Sequence, residues 1–228
     1  MNTPRTPGRP VGEPQQRERL LDAALAAFSQ SGIAASSLRH IATRAGVTPA
    51  LVNYYFGNKD KLLQAVIEER LFPTLLQLAQ ALSKAGDEPA ALVRAFVLGM
   101  RELVATHPWL PPLWVREVLC EGGLLRPLLV DRVAPLIPRP LAERFAAAQR
   151  RGALNPDLDP RLLGVSLIGL TLFPYAAAPI WRGLFPAPEL DDEALVRHTL
   201  VLLERGLEMP HAPRSPTGLP ARPAPRRL

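Results

Sequence analysis

The stretch that decides the fold is Ser37-Leu-Arg-His-Ile-Ala-Thr-Arg-Ala-Gly-Val-Thr-Pro-Ala-Leu-Val-Asn-Tyr-Tyr-Phe56. Ser37 is placed to cap a short helix, accepting a bond from a backbone N–H that the first turn leaves unpaired. Ile41 and Ala45 share one face of that helix, and Ala42 is small where a second helix must cross closely. Gly46 stops the helix, because glycine enters the left-handed conformation at little cost. Thr48 caps a second helix, with Pro49 at the first position, where no backbone donor is needed. Val52 and Phe56 continue the buried face. The pattern predicts a helix-turn-helix over residues 37–56, its second helix free to enter a major groove.

An ordinary helical hairpin also has caps and a glycine turn, so the exposed face decides between the readings. Thr48, Pro49, Asn53 and Tyr54 offer hydroxyls, an amide and an aromatic ring, with Lys59 just beyond. A merely solvated face more often carries Glu and Lys. These groups suit contact with bases and phosphates.

Working outward, Leu21, Ala24, Leu25 and Phe28 recur at i, i+3, i+4 and i+7, which predicts a helix over 17–30. Residues 59–84 read as one long helix bent at Pro73. Further helices are expected near 89–105, 109–120, 126–134, 140–151, 160–181 and 191–208. No stretch alternates apolar and polar residues long enough to argue a sheet, so the fold class is all-α. Of 26 prolines, four fall in 1–16 and six in 209–228. Apolar periodicity is missing there, and both ends read as tails. The expected organisation is a basic Pro-rich tail (1–16), a DNA-binding head (17–62), a helical body (63–208) and a Pro/Arg-rich tail (209–228).

Composition narrows the function. Across 228 residues, 47% are apolar and 21% charged, which excludes wholesale disorder. Cys120 stands alone, so no internal disulfide and no cysteine-based zinc site is expected. The histidines at 40, 107, 198 and 211 lack metal-type spacing, and neither a Gly-rich phosphate loop nor a Gly-x-Ser-x-Gly elbow occurs. The chain is therefore expected to be no enzyme and to need no metal or cofactor. The first residues lack the apolar core of a signal peptide, which points to the cytoplasm. Net charge is +6, with +3 in residues 17–61 and −2 in 62–208. A positive front end on a slightly acidic body suits a polyanionic partner.

Leu162 to Trp181 is an uncharged run of twenty residues between Arg161 and Arg182, long enough to span a bilayer. Pro174, Pro179, Ser166 and Thr171 interrupt it, and no juxtamembrane Lys/Arg cluster accompanies it. Burial between subunits is the expected form, without a membrane.

These motifs resemble the DNA-binding domain of the TetR/AcrR family of bacterial repressors. The matching elements are Leu20–Phe28, Ser37–Thr48, Asn53-Tyr54-Tyr55-Phe56 and Phe56-Gly-Asn-Lys59-Asp60-Lys-Leu62. Val52-Asn53 departs from the family's usual Leu-Tyr, and Tyr55 stands where histidine is frequent. The resemblance implies an N-terminal three-helix head and a C-terminal body for ligand binding and dimerisation. It implies a homodimeric, nucleoid-associated regulator, most simply a repressor released from a palindromic double-stranded DNA operator by a small apolar or amphipathic effector. A protein of the same fold without an inducer, organising the chromosome, is the alternative; a membrane-associated or enzymatic helical protein is a more distant one.

Carried onto this chain, the resemblance places Ser37, Arg39, Thr48, Pro49, Ala50, Asn53, Tyr54, Tyr55 and Lys59 at DNA. Arg39 suits guanine and Asn53 adenine, while Tyr54 and Lys59 suit phosphates. Arg5 and Arg9 would form a minor-groove arm. The body would hold the effector among Trp109, Trp114, Phe173, Tyr175 and Trp181, with His107, Glu117 and His198 for polar selectivity. Leu162, Val165, Ile168, Gly169, Leu172, Leu195, Leu202 and Leu203 would form the dimer interface.

Overall fold

The computed structural model describes residues 13–207, so Arg5, Arg9 and the C-terminal arginines lie outside the described residues. All regular structure among the described residues is helical. The head comprises α1 (Glu13–Ser31), α2 (Leu38–Ala45), α3 (Pro49–Phe56) and α4 (Lys59–Val66). The body comprises α5 (Phe72–Lys84), α6 (Pro89–Thr106), α7 (Leu110–Trp114), the short α8 (Arg126–Leu128), α9 (Pro138–Arg150), α10 (Pro160–Ala176), α11 (Ala178–Leu184) and α12 (Asp192–Leu207). Three π-helical turns, Ile67–Leu71, Val115–Leu119 and Leu129–Val133, are inserted in this series.

The head closes around α1. Leu20, Leu21, Ala24, Leu25 and Phe28 are buried against Ile41, Val52, Phe56, Leu62 and Val66. A fully buried leucine or phenylalanine contributes about 1.5–3 kcal/mol. α1 begins at Glu13, ahead of the expected boundary at 16/17. Pro14 is tolerated because first-turn N–H groups have no intrahelical partner. The expected boundary at 62/63 also falls inside a helix, since Leu62 and Val66 of α4 both belong to the head's core.

The long helix expected over 59–84 exists, but with a π-turn where a simple kink was anticipated. Pro73 has no N–H to give the Glu69 carbonyl, which accepts instead from the Arg70 guanidinium at 3.2 Å. The ladder widens by one residue just upstream, the Phe72 N–H reaching the Ile67 carbonyl. Ion pairs fasten this π-turn on two sides. Glu69 pairs with Arg17 at 2.5 Å, and Arg70 with Glu18 at 2.6 Å and Asp22 at 2.8 Å, all on α1. Glu68 pairs with Arg132 of the body. Hydrogen bonds from Arg17 and from Arg132 hold the carboxyls of Glu69 and Glu68, respectively, below the usual carboxylate range. A single exposed pair contributes about 0–1 kcal/mol; the convergence on one turn is what fixes its position.

In the body α6 is central, packed by α5, α9, α10 and α12. Leu92, Val93, Phe96 and Val97 meet Phe145 of α9 and Leu167 of α10 in the second core. Asp159 caps α10, accepting from the Arg161 N–H at 2.8 Å. The Arg161 guanidinium beside it helps hold its carboxyl down to about 2.

The single helix expected over 160–181 is broken. α10 and α11 meet at Ala177 with a bend of 72°. Pro174 and Pro179 each lack the N–H that would continue the ladder, and the Trp181 indole N–H donates to the Pro174 carbonyl at 2.7 Å, bracing the corner. Among the described residues no single helix is long and apolar enough to cross a membrane; the α10–α11 pair passes that test only as a bent unit. Leu163, Leu167, Thr171 and Leu172 of α10 are buried within the chain, while Leu162, Val165 and Phe173 stand exposed.

Candidate nucleic-acid interface and effector cavity

Local chemistry builds the reading head as its sequence requires. The Ser37 hydroxyl accepts from the His40 N–H at 3.1 Å, starting α2. Gly46 sits at φ 69°, ψ 31°, in the left-handed region. Its N–H reaches the Thr43 carbonyl at 3.1 Å, and the Val47 N–H reaches that of Ala42 at 3.0 Å. This pair of bonds satisfies carbonyls that the end of α2 would leave unpaired. Thr48 then caps α3, and Asn58 caps α4 by accepting from the Lys61 N–H at 2.9 Å.

The turn leaves one face of α3 outward. Thr48, Pro49, Ala50 and Asn53 are exposed on it, and Tyr54 is 73% exposed. Arg39 and Ser37 of the α2 side are exposed too. Tyr55 is half-buried, its ring edge-on to that of Tyr54 with centroids 5.4 Å apart. Lys59 has a second role that its position in sequence did not announce. Its ammonium donates to the Ala34 carbonyl at 2.9 Å, bracing the α1–α2 loop against α4.

The eight residues expected around an effector are not brought together. Trp114 alone among them lines the apolar cavity between head and body, which Leu71, Leu75, Val118, Leu128 and Val133 help enclose. Its volume is about 50 Å³. Tyr175 lies in another cleft, with Arg101 and Thr199, where its hydroxyl is buried without a hydrogen-bond partner. Burial pushes that phenol's pKa up. Trp181 braces the α10–α11 corner, Phe173 is 67% exposed, and His198 is exposed on α12. His107 and Trp109 pack together at the end of α6, centroids 5.1 Å apart. Glu117 lies buried between head and body, its carboxyl accepting from two backbone N–H groups.

Aromatic residues do not mark the walls of this cavity, apart from Trp114. The cavity is made chiefly of leucines and valines on π-turns and short helices, which in sequence are indistinguishable from ordinary core. The signal for Glu117 was available: it is the one acid in the largely apolar run Leu113–Leu119.

His107 allows a test of pH dependence. Its Nε2 lies 3.3 Å from the Thr74 hydroxyl, and burial lowers its pKa from the ordinary value. The unfolded chain therefore binds the proton more readily than the folded one. Stability from this group is present above the unfolded pKa of about 6.5 and is lost as pH falls toward the folded value. Denaturant titrations at pH 7.5 and 5.5 should show a smaller acid-side loss for His107→Gln than for the unaltered chain. Equal losses in both would remove His107 from the account.

The expected interface residues also divide. Leu162, Val165, Gly169 and Leu202 are exposed, with Ile168 and Leu195 half-buried. Leu172 and Leu203 belong instead to the chain's own core, 3% and 8% exposed. α10 and α12 are apolar on two sides, and these two leucines face inward.

A capped helix-turn-helix with an outward polar face, carried on an all-helical body, is the candidate DNA-binding element of this fold. Residues 20–66 match the family model described as "Bacterial regulatory proteins, tetR family". Over these residues the head is similar to the DNA-binding domain of that family. The HTH-type transcriptional regulator BetI of Rhizobium meliloti is 41% identical over 85 residues, covering 37% of this chain and 41% of that protein. The BetI of Burkholderia thailandensis is 34% identical over 82 residues, covering 36% and 42%. The chain thus spans less than half the length of these curated relatives. Over the whole fold, NalD of Pseudomonas aeruginosa, the secondary repressor of the MexAB-OprM multidrug efflux pump, superimposes with a TM-score of 0.60 at 25% identity, covering 85% of this chain and 97% of that one. FadR of Bacillus subtilis in complex with stearoyl-CoA shares the fold, with a TM-score of 0.63 at 19% identity and coverage of 84% and 99%.

Proposed function

We propose that the protein is a homodimeric, sequence-specific transcriptional regulator, acting as a repressor that leaves a palindromic operator when a small apolar or amphipathic effector fills its body. The observation that carries this reading is the exposed face of α3, where Thr48, Ala50, Asn53 and Tyr54 project from a helix held only at its back by Val52 and Phe56. Asn53 offers the donor–acceptor pair that suits adenine. Arg39 reaches guanine from the α2 side, and Ser37, Pro49, Tyr54, Tyr55 and Lys59 set the register on the backbone. One such helix covers few base pairs, and two held about 34–36 Å apart by a dimer read adjacent turns. The exposed apolar faces of α10 and α12 (Leu162, Val165, Val201 and Leu202) supply the surface for that pairing.

Effector control rests on the cavity beneath the head and on the company the fold keeps. The FadR of Bacillus subtilis was solved holding stearoyl-CoA, and a small molecule in the body fits a regulator whose cavity abuts its reading head.

Fluorescence anisotropy with the duplex upstream of the protein's own gene tests the reading. Binding should weaken steeply with salt, as phosphate contacts require. Asn53→Ala should lose about tenfold on the operator and almost nothing on random duplex. Tyr54→Ala should weaken both alike. Equal loss on both duplexes for Asn53→Ala would refute base reading at that position, and no salt-dependent retention of any duplex would refute the function itself.

A further inference from the structure

Glu117 is a buried polar link between the apolar cavity and the head, beside the cavity-lining Leu71, Leu113 and Leu125 that belong to the head's own core. Glu117 lies on the π-turn Val115–Leu119, three residues after Trp114 and one before Val118, both of which line the cavity. It is 5% exposed. Its Oε1 accepts from the Ile33 N–H of the head at 2.7 Å, and its Oε2 accepts from the Leu124 N–H of the body at 3.1 Å. Ile33 is 1% exposed, and the Ser36 hydroxyl donates to the Gly32 carbonyl at 2.7 Å. The Gly32–Ser36 turn therefore sets where α2 starts, and α2 carries α3. Gly32 has φ 87°, and a Cβ there would press on the carboxyl at 3.2 Å from Oε1. On the other side, the Leu125 N–H donates to the Glu117 carbonyl oxygen at 3.0 Å.

Volume supplies the second half of the argument. An apolar cavity of roughly 150 Å³ accepts benzene, and this one has about 50 Å³. A molecule of benzene's size or larger enters only by displacing walls, and packed interiors shift in discrete steps rather than stretch. The walls on Trp114 and Val118 belong to the turn that bears Glu117. All the lining side chains named above are aliphatic or indole, so a charged ligand would be desolvated there without compensation.

We infer that the cavity takes a small uncharged apolar effector, and that Glu117 is the positioning residue through which its filling moves the α1–α2 turn and hence α3. The inference rests on the regulator reading above and adds to it that the effector is uncharged and which group links its site to the head. Removing Glu117's grip leaves the cavity able to fill while the head no longer responds.

The test uses the full chain, with toluene as the uncharged probe and benzoate as its charged counterpart. Amide hydrogen exchange is followed at Ile33, without DNA, and operator affinity is measured in parallel. Toluene should speed exchange at Ile33 at least tenfold, benzoate at equal concentration less than twofold, and toluene should weaken operator binding at least fivefold. Glu117→Gln keeps the side chain's size but replaces one acceptor by a donor. It should bind toluene within twofold of the unaltered chain by calorimetry, yet its operator affinity should change less than 1.5-fold on adding toluene. Val118→Phe, which fills the cavity from within, should speed Ile33 exchange with no probe present; it provides an independent result should Glu117→Gln fail to fold. Toluene that does not bind, an Ile33 amide indifferent to both toluene and Val118→Phe, or a Glu117→Gln protein that still releases DNA on toluene addition would each overturn the inference. A responsive Ile33 amide in a protein that retains no duplex would instead sink the regulator reading alone.

Discussion

On the pairing proposed above, Val165→Asp should yield a monomer in sedimentation velocity, where the unaltered chain is expected to sediment as a dimer. Val165 is 67% exposed on α10, while its neighbours Leu163 and Leu167 are buried in the chain's own core. A carboxylate placed there meets water in the single subunit and an apolar surface in the pair, where it would be desolvated without a partner. The monomer's circular dichroism should therefore change little, and its melting should no longer depend on protein concentration. Operator affinity should fall at least 100-fold, because the second half-site is no longer presented at the high effective concentration of a tethered head. Ile168→Asp is the poorer test, since Ile168 packs partly against the chain's own core. A Val165→Asp protein that sediments as an intact dimer would place the interface elsewhere.

Gly46→Val should unfold the head more readily by about 2–3 kcal/mol. The backbone at Gly46 is left-handed, φ 69°, and a Cβ added there meets nothing within 4 Å. The cost is thus purely conformational, and a β-branched residue bears it worst. Two bonds that end α2, from Gly46 and Val47, depend on the same geometry. Denaturant titration of the head's transition should show the loss, with operator binding falling in step. Gly46→Asn should recover much of it, because asparagine visits this region more readily. If valine and asparagine cost the same, crowding or some other cause must replace the backbone argument.

How much of this was legible in the sequence follows from how local each signal is. Ser37, Gly46, Thr48 and Asn58 act on N–H and carbonyl groups within a few residues, so the head could be read from the chain alone. The bend at Ala177 was hidden because the uncharged run from Leu162 to Trp181 continues through it, and two prolines near one end do not by themselves specify a break. Leu172 and Leu203 read as interface because α10 and α12 carry apolar residues on two faces, and periodicity does not say which face turns inward. The cavity was missed for a related reason. Its walls come from segments distant in sequence, several on π-turns, and a π-turn adds a residue that counting by 3.6 cannot anticipate. The sequence pairs Lys59 with phosphate, but its bond to Ala34 depends on a loop 25 residues away and is not visible from the chain alone.

The π-turn at Ile67–Leu71 bears on more than the kink beside Pro73. A helix advances about 100° per residue, so the number of residues between Val66 at the end of α4 and the start of α5 helps set the azimuth at which the head is mounted on the body. Deleting one residue there would swing each α3 through more than a quarter of a circle with both cores compositionally intact. The same deletion in the stretch 186–190, outside any helix, would trim a surface connection. The segment thus acts as a phasing spacer, whose length helps set the head's azimuth and whose charges, Glu68, Glu69 and Arg70, hold it there.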